Sequence, residues 1–429
     1  MRIAEETDKL EPKSPINPNF KVMPILGLAG EIGSLLAELK KGVREPNRQE
    51  EIGAKRIGEE LGDIIWYSAT VARRAGIDFE KTILLENLRR VQNRPDAYLP
   101  SIGVTEGSKT ALGDHIAAEG LRAVETFDSY QSNAARSAEF GDDPTALVPY
   151  LARIWRNSSE LLEWLDTSTF DFSEQERQKI IEPLGDVMWY VAGFATIYDL
   201  SLSDVAKNNA KKTKSMFVPG APTRLHDDGD KPLERFPRKF NVDFVSIDDE
   251  TAVMLINGLR IGDPLKDNAD PAAGDKDGAI DGYRFHDCVH LAFVAVLGWS
   301  PVVRGLMKRK RKSRKIVDDT QDGARAQIVE EMIVKLTHTY AVGVDRKRLL
   351  QGRMHVSMDL LKQIESLTEG LEVNTNKLWE WKKAILLGYE IFDQLRRHLR
   401  GRICVDLRER RVSFVELAEG EGEEFPELA

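Results

Sequence analysis

From residue 20 to residue 41, apolar side chains recur every three or four positions in FKVMPILGLAGEIGSLLAELKKG, and the run stops at Gly42. This spacing predicts an amphipathic helix. EEIGAKRIGEELGDIIWYSATVARRAG predicts a second helix ending near Gly76, and FEKTILLENLRRVQNR a third, stopped by Pro95. The same layout then returns. TALVPYLARIWRNSSELLEWLD predicts one helix, EQERQKIIEPLGDVMWYVAGFATIYD contains the next, and LSDVAKNNAKKTKSMF is the third. EELGDIIWY at 59–67 and EPLGDVMWY at 182–190 set Asp63 and Asp186 in register 123 residues apart, and ENLRR is answered by NNAKK after a one-residue slip. A helical module is therefore present twice.

Beyond residue 235 the pattern changes. KFNVDFVSI, TAVML and LRIGD alternate or cluster β-forming residues, with Asn257-Gly258 as a turn signal, and RICVDLRERRVSFVEL predicts a second hairpin. The stretch 283–400 between them is mostly helical in pattern. The expected organisation is a helical module at 1–100, a connector at 101–140, and a second module at 141–220. A proline-rich linker follows at 221–235, then a helical domain with a small sheet made from its two ends at 236–418, and an acidic tail at 419–429. The fold class is mainly α.

Composition narrows the setting. Hydrophobic residues make up 41% and charged residues 31%, values of a globular chain. No run of 18 apolar residues suggests a membrane span, and the polar start lacks the regions of a signal peptide. Two cysteines, Cys288 and Cys404, argue against a disulfide framework, so a cytoplasmic location is expected. A net charge of −9 gives no general attraction to nucleic acid.

The chemistry concentrates in carboxylates. Glu31 and Glu38 lie two turns apart on one face of the first helix, and Glu60 and Asp63 share a face of the second. If the helices pack antiparallel, these four acids point into one groove and repel one another unless a hard divalent cation sits among them. Mg²⁺, with Mn²⁺ as an alternative, fits such an oxygen set and suits phosphate. Solvated acidic faces are the commoner reading of acids on helices. Here, however, the acids interrupt apolar runs, where an unpartnered carboxylate is costly. Glu59 could replace Glu60, but the spacing to Asp63 favours Glu60. Trp66 and Tyr67 are read as core in preference to base-stacking residues.

GLAGEIGSLLAELKK, EELGDIIWYSATVARRAGIDF and NLRRVQNRP resemble the MazG-type all-α nucleoside triphosphate pyrophosphohydrolases over about 75 residues, and more weakly over the second copy. The resemblance implies two tandem MazG-like modules forming a pseudo-dimeric bundle. It also implies Mg²⁺-dependent hydrolysis of an NTP or dNTP between its α- and β-phosphates, giving a nucleoside monophosphate and pyrophosphate. Glu31, Glu38, Glu60 and Asp63 would be metal ligands, with Glu38 and Glu60 catalytic. Asn87, Arg90 and Arg94, on one face of the third helix, would hold phosphate or ribose, with Lys41 and less readily Lys40 as further contacts. Family members often carry a second first-helix glutamate where this chain has Ser34, so Glu38 is expected to supply that ligand. In the second copy, Pro183 replaces Glu60 and Asn157 stands near the place of Glu31; Pro183 is expected to start or kink its helix. This copy is expected to complete the bundle without independent catalysis. Homo-oligomerisation stays open.

In the last domain, YRFHDCVHLAFVAVLGWSP puts His286 and His290 at i, i+4 with Asp287 adjacent, and IVEEMIVKLTHTY carries Glu330, Glu331 and His338. Two histidines and a carboxylate can bind a transition metal, but a hydrogen-bonded core histidine is commoner. This segment also resembles a helical domain attached to some MazG-type proteins. MKRKRKSRK at 307–315 has seven basic residues in nine, a local anion-binding run open to nucleic acid, nucleotide phosphates or the chain's own acids. Nucleic acid is not favoured, because no aromatics interleave with the charges. The alternative to an enzyme is a non-catalytic nucleotide-sensing module coupled to a C-terminal effector or nucleic-acid-binding domain.

Overall fold

The apolar positions of the first run lock into one side of a helix. In α1 (Met23–Arg44), Ile25, Leu28, Ile32, Leu35 and Leu39 are all buried. In α2 (Glu50–Arg74), which packs on α1, Ile57, Leu61, Ile64, Ile65 and Ala72 are buried. The computed structural model describes residues 7–8, 23–45, 50–93, 126–136, 148–167, 173–267 and 282–417. It is mainly helical, and the chain divides into two units, Met1–Val218 and Pro219–Ala429.

In the first unit, α2 ends at Gly76, whose φ of 69° lets the Ile77 N–H return to the Ala72 carbonyl at 2.8 Å. Asp78 then accepts from the Lys81 N–H, opening a short π-helical turn (Phe79–Leu84) that continues into α3 (Leu85–Asn93). A further helix, α4 (Phe127–Arg136), lies inside the expected connector. It is short and only weakly apolar in sequence, yet Tyr130 is fully buried, and Asp128 accepts from Ser203 N–H and Ser201 O–H. The second copy follows as α5 (Val148–Thr167), α6 (Glu174–Ile197) and α7 (Leu202–Phe217). The end of α6 reproduces the end of α2: Asp199 takes the left-handed conformation at φ 52°, Leu200 N–H returns to the Ala195 carbonyl at 2.8 Å, and Ser201 caps α7.

Pro183 neither starts nor ends α6. It lies in the helix interior and is buried, so the fourth-residue hydrogen bond it forgoes is lost within a helix held by packing. An 18-residue window of α6 is apolar enough to cross a membrane by length and composition, and 78% of that window is buried in the unit, as for a core helix.

The second unit contains a five-stranded antiparallel sheet, ordered β3-β2-β1-β4-β5. The strands are β1 (Lys239–Ser246), β2 (Thr251–Ile256), β3 (Leu259–Lys266), β4 (Arg400–Asp406) and β5 (Arg411–Val415). Asn257 and Gly258 both have positive φ, the type I′ geometry matched to strand twist. Pairing of β1 with β4 joins the two ends of the domain. Between the ends run α8 (Asp287–Leu297), α9 (Pro301–Leu306), α10 (Lys315–Thr320), α11 (Ala324–Val344), α12 (Met358–Leu367) and α13 (Leu378–His398). Helix α8 is buried along its whole length, against α13 and the sheet, as its largely apolar sequence requires, and it takes Asp287 and His290 into the interior with it.

The segment 221–235, expected as a linker, is part of this unit, and its partner is the basic run at 307–315. Arg309 donates to the Arg235 carbonyl, Arg314 pairs with Asp230 at 2.9 Å, and Ser313 N–H donates to Glu234. Arg311 is fully buried between Asp322 at 2.7 Å and Glu372 at 2.6 Å. Asp227, also buried, accepts from Arg304 and from the Phe236 N–H. Of the destinations open to the basic run, the chain's own acids take much of it.

Candidate functional site

Antiparallel packing of α1 on α2 brings Glu31, Glu60 and Asp63 together, each offering a carboxylate oxygen within 4.8 Å of the others. Glu38 stands outside this trio. It is buried two turns further along α1 and accepts a hydrogen bond from Lys41, which engages the lysine expected to meet phosphate.

The residues that close on Asp63 come from the other copy. On α7, Asn209 donates through Nδ2 to Asp63 Oδ1, and Lys212 Nζ lies 2.7 and 2.9 Å from its two carboxylate oxygens. The arrangement has a mirror. On α3, Asn87 Nδ2 donates to Asp186 at 3.1 Å, and Arg90 lies 2.9 and 3.0 Å from the two oxygens of the same carboxylate. Each third helix therefore serves the other module's aspartate. Asn87 and Arg90, which the resemblance assigns to phosphate or ribose, sit at Asp186 and not in the trio around Asp63. Arg94 lies outside the described residues.

The glycine of LGD explains the closeness. A Cβ on Gly62 would meet Asn209 Cβ at 2.8 Å, and one on Gly185 would meet Asn87 Cβ at 2.9 Å. Only glycine lets each third helix approach near enough for its asparagine to reach the next residue, the aspartate. Asn87 is further oriented by Tyr130, whose O–H donates to Asn87 Oδ1 at 2.8 Å. That leaves the amide nitrogen to point at Asp186.

The two centres differ in what surrounds the aspartate. Among the described residues, the second module brings together no trio of carboxylates like that around Asp63. Pro183 occupies the place of Glu60, and Asn157 is buried on α5. Arg90 pairs with both Asp186 and Glu182. Glu160, Glu163 and Glu182 line a neighbouring cavity of about 360 Å³ with Lys179. Trp66 donates from its indole N–H to Thr7, and Tyr67 packs its ring on Gly27. Their counterparts Trp189 and Tyr190 are buried, and burial pushes the Tyr190 phenol up to about 12.

In the second unit, His286 and His290 meet Glu331 within 4.8 Å. His290 is fully buried, and its Nδ1 lies 2.7 Å from Glu330. Burial alone would lower its pKa, but the carboxylates of Glu330, Asp287 and Glu331 outweigh that and raise it to about 9. Glu330, expected among the polar-site residues, is thus the partner of one ring nitrogen, while Glu331 joins the histidines on the other side.

Sequence reasoning missed Asn209 and Lys212 as site residues. The signal was present in NNAKK answering ENLRR, but the exchange of third helices between modules is a property of packing.

Residues 221–418 match the family described as the MazG C-terminal domain. No curated protein and no solved structure matches the chain. The match supports a MazG-related family for this protein, through its C-terminal region.

Proposed function

We propose that the protein is a Mg²⁺-dependent nucleoside triphosphate pyrophosphohydrolase with one working site, at Glu31, Glu60 and Asp63. The observation that carries this reading is the convergence of three carboxylates from two helices onto one point, with the amide and ammonium of a third helix against one of them. The MazG-related match and the resemblance of GLAGE, EELGD and NLRR to that family agree with it.

The donor set fits the ion. Lys212 lies against Asp63, and all three donors of the trio are hard oxygens, the type Mg²⁺ prefers. Glu31, Glu60 and Asp63 would hold it, and when bound it supplies neutralisation of phosphate charge and a more acidic water. The chain's own residues do the rest. Asn209 fixes the rotamer of Asp63 by donating to one of its oxygens. Lys212, on the rim of the same carboxylate, turns its ammonium to a phosphate oxygen of the substrate. Glu60 positions the attacking water and takes its proton. Glu38, held by Lys41 outside the trio, is replaced in that role.

The test is pyrophosphate release with Mg²⁺ across a panel of ribo- and deoxyribonucleoside triphosphates. Release of pyrophosphate and monophosphate from at least one of them, lost in Asp63→Ala, is expected. Binding without turnover for every nucleotide would overturn the enzyme and favour a nucleotide-sensing module.

A further inference from the structure

A histidine in an apolar core normally uses both ring nitrogens, because an unmade hydrogen bond at a buried polar atom costs about 1–3 kcal/mol. His290 does not. Its Nδ1 is held by Glu330, but Nε2 is buried with no hydrogen-bond partner among the described residues. That nitrogen points at acidic and imidazole groups on two elements. It lies 3.5 Å from a carboxylate oxygen of Glu331 on α11 and 3.9 Å from Asp287 Oδ1 at the start of α8. His286 Nε2 lies 3.6 Å from the same Asp287 oxygen.

The tautomers are set from outside. His286 Nδ1 lies 2.8 Å from the Tyr283 carbonyl, which can only accept, so Nδ1 carries the hydrogen and Nε2 presents a lone pair. The Tyr283 ring stacks on His286 at 4.2 Å and fixes its plane. His290 Nδ1 likewise donates to Glu330, whose second oxygen is anchored by the Val302 N–H at 2.8 Å. A carboxylate behind an imidazole is the arrangement that orients metal-binding histidines, and an ion at the far nitrogen of His290 takes the place of the proton held there in its absence.

We propose that His286 Nε2, His290 Nε2 and Glu331, with Asp287 beside the two imidazoles, form a transition-metal centre in the second unit, taking one divalent ion of the Zn²⁺ class. With metal–ligand bonds of about 2.0–2.1 Å, tetrahedral donors stand about 3.3–3.4 Å apart. The donors of His286, His290 and Glu331 lie within 4.8 Å of one another, wider than that, and rotation of the half-exposed Glu331 side chain with small shifts of the rings closes the set. Two imidazoles with carboxylates select Zn²⁺, Co²⁺ or Fe²⁺ over Mg²⁺. The all-oxygen trio at Glu31, Glu60 and Asp63 has the opposite preference. Three carboxylates, Asp287, Glu330 and Glu331, crowd one enclosed imidazole, a surplus of negative charge that a divalent cation balances. His286 and Glu331 also line a cavity of about 330 Å³ with Lys335 and His338, so a water or a small anion can reach the ion from that side.

The full-length chain, stripped with a chelator and held in excess Mg²⁺, should bind one equivalent of Co²⁺ with intense visible absorption and release it to Zn²⁺. Asp63→Ala should leave this unchanged. Glu331→Gln, at a half-exposed position where folding is not at stake, should abolish the absorption while leaving the circular dichroism intact. His286→Ala should do the same. Glu330→Gln should weaken affinity by about 10–100-fold through the imidazole it orients. Absence of a Co²⁺ spectrum in the wild-type chain, or its survival in both Glu331→Gln and His286→Ala, overturns the proposal.

Discussion

Asp63 and Asp186 are gripped alike and surrounded differently. Each follows a glycine that admits a third helix, and each accepts from an asparagine and a basic residue on that helix. Around Asp63 stand Glu31 and Glu60; around Asp186 the corresponding places hold Asn157 and Pro183. The shared part is what holds two modules together. The part present once is what chemistry with a cation needs. An aspartate with a basic partner is thus a structural joint, which two further carboxylates convert into a candidate metal site.

The largest separation between the halves is expected from Asp63→Ala and Asp186→Ala. The first should lower pyrophosphate release by about 10³-fold or more, because several kcal/mol of transition-state charge stabilisation depend on the ligand set. The second should leave kcat close to wild type and lower the Tm. Equal loss of activity from both would show that the second module supplies ligands.

Next in size is the basic residue. Lys212→Met should reduce kcat/KM by about 10–100-fold through a lost charge-assisted contact to phosphate, worth about 1.5–3 kcal/mol. Arg90→Met should leave kcat/KM nearly unchanged and show instead in denaturant unfolding, because it strands Asp186 beside Glu182.

Gly62→Ala and Gly185→Ala should destabilise to a similar extent, about 1–2 kcal/mol, as overpacking against asparagine exceeds the gain in helix propensity. Only Gly62→Ala should also reduce turnover, since it pushes Asn209 and Lys212 away from Asp63. A loss of turnover in Gly185→Ala would break the asymmetry.

The smallest effect concerns pH. Asp128 is mostly exposed. The little burial it has would raise its pKa, but hydrogen bonds from Ser203 and Ser201 at the start of α7 hold it below the ordinary carboxylate value. A depressed pKa means the contribution is present above the ordinary carboxylate value, about 3.9, and is lost as pH falls through the folded value. Asp128→Asn should therefore cost about 0.5–1 kcal/mol at neutral pH after solvent screening, and the difference from wild type should shrink on acidification. Chemical denaturation at several pH values measures it.

Much of this was legible in the chain. The period of α1 and α2, the duplication of LGD with its aromatic pair, and Asn257-Gly258 as a hairpin turn all follow from local rules. Glu31, Glu60 and Asp63 could be grouped because helix geometry places them on faces that antiparallel packing joins. Asn87 and Arg90 share a face of the third helix in sequence, and the structure sets that face against Asp186. Sequence spacing fixes a face, whereas packing decides which module that face meets. The helix at 127–136 escaped because its stability comes from Tyr130 and Asp128 contacting distant residues, not from periodicity. The basic run at 307–315 leaves its partner open in sequence, between nucleic acid, nucleotide phosphates and the chain's own acids, because nothing local tells that Arg311 meets Asp322 and Glu372 in the interior.

The exchange of third helices has a consequence for concentration. Were the two modules separate molecules, each working site would exist only while a partner was bound, and dilution would empty it by mass action. Here both helices are on one chain, so the partner's local concentration is set by the connection and not by how much protein is present. Specific activity should stay flat on dilution down to the limit of detection. The joint between modules is also freed from having to be identical on both sides, since one sequence no longer writes both halves.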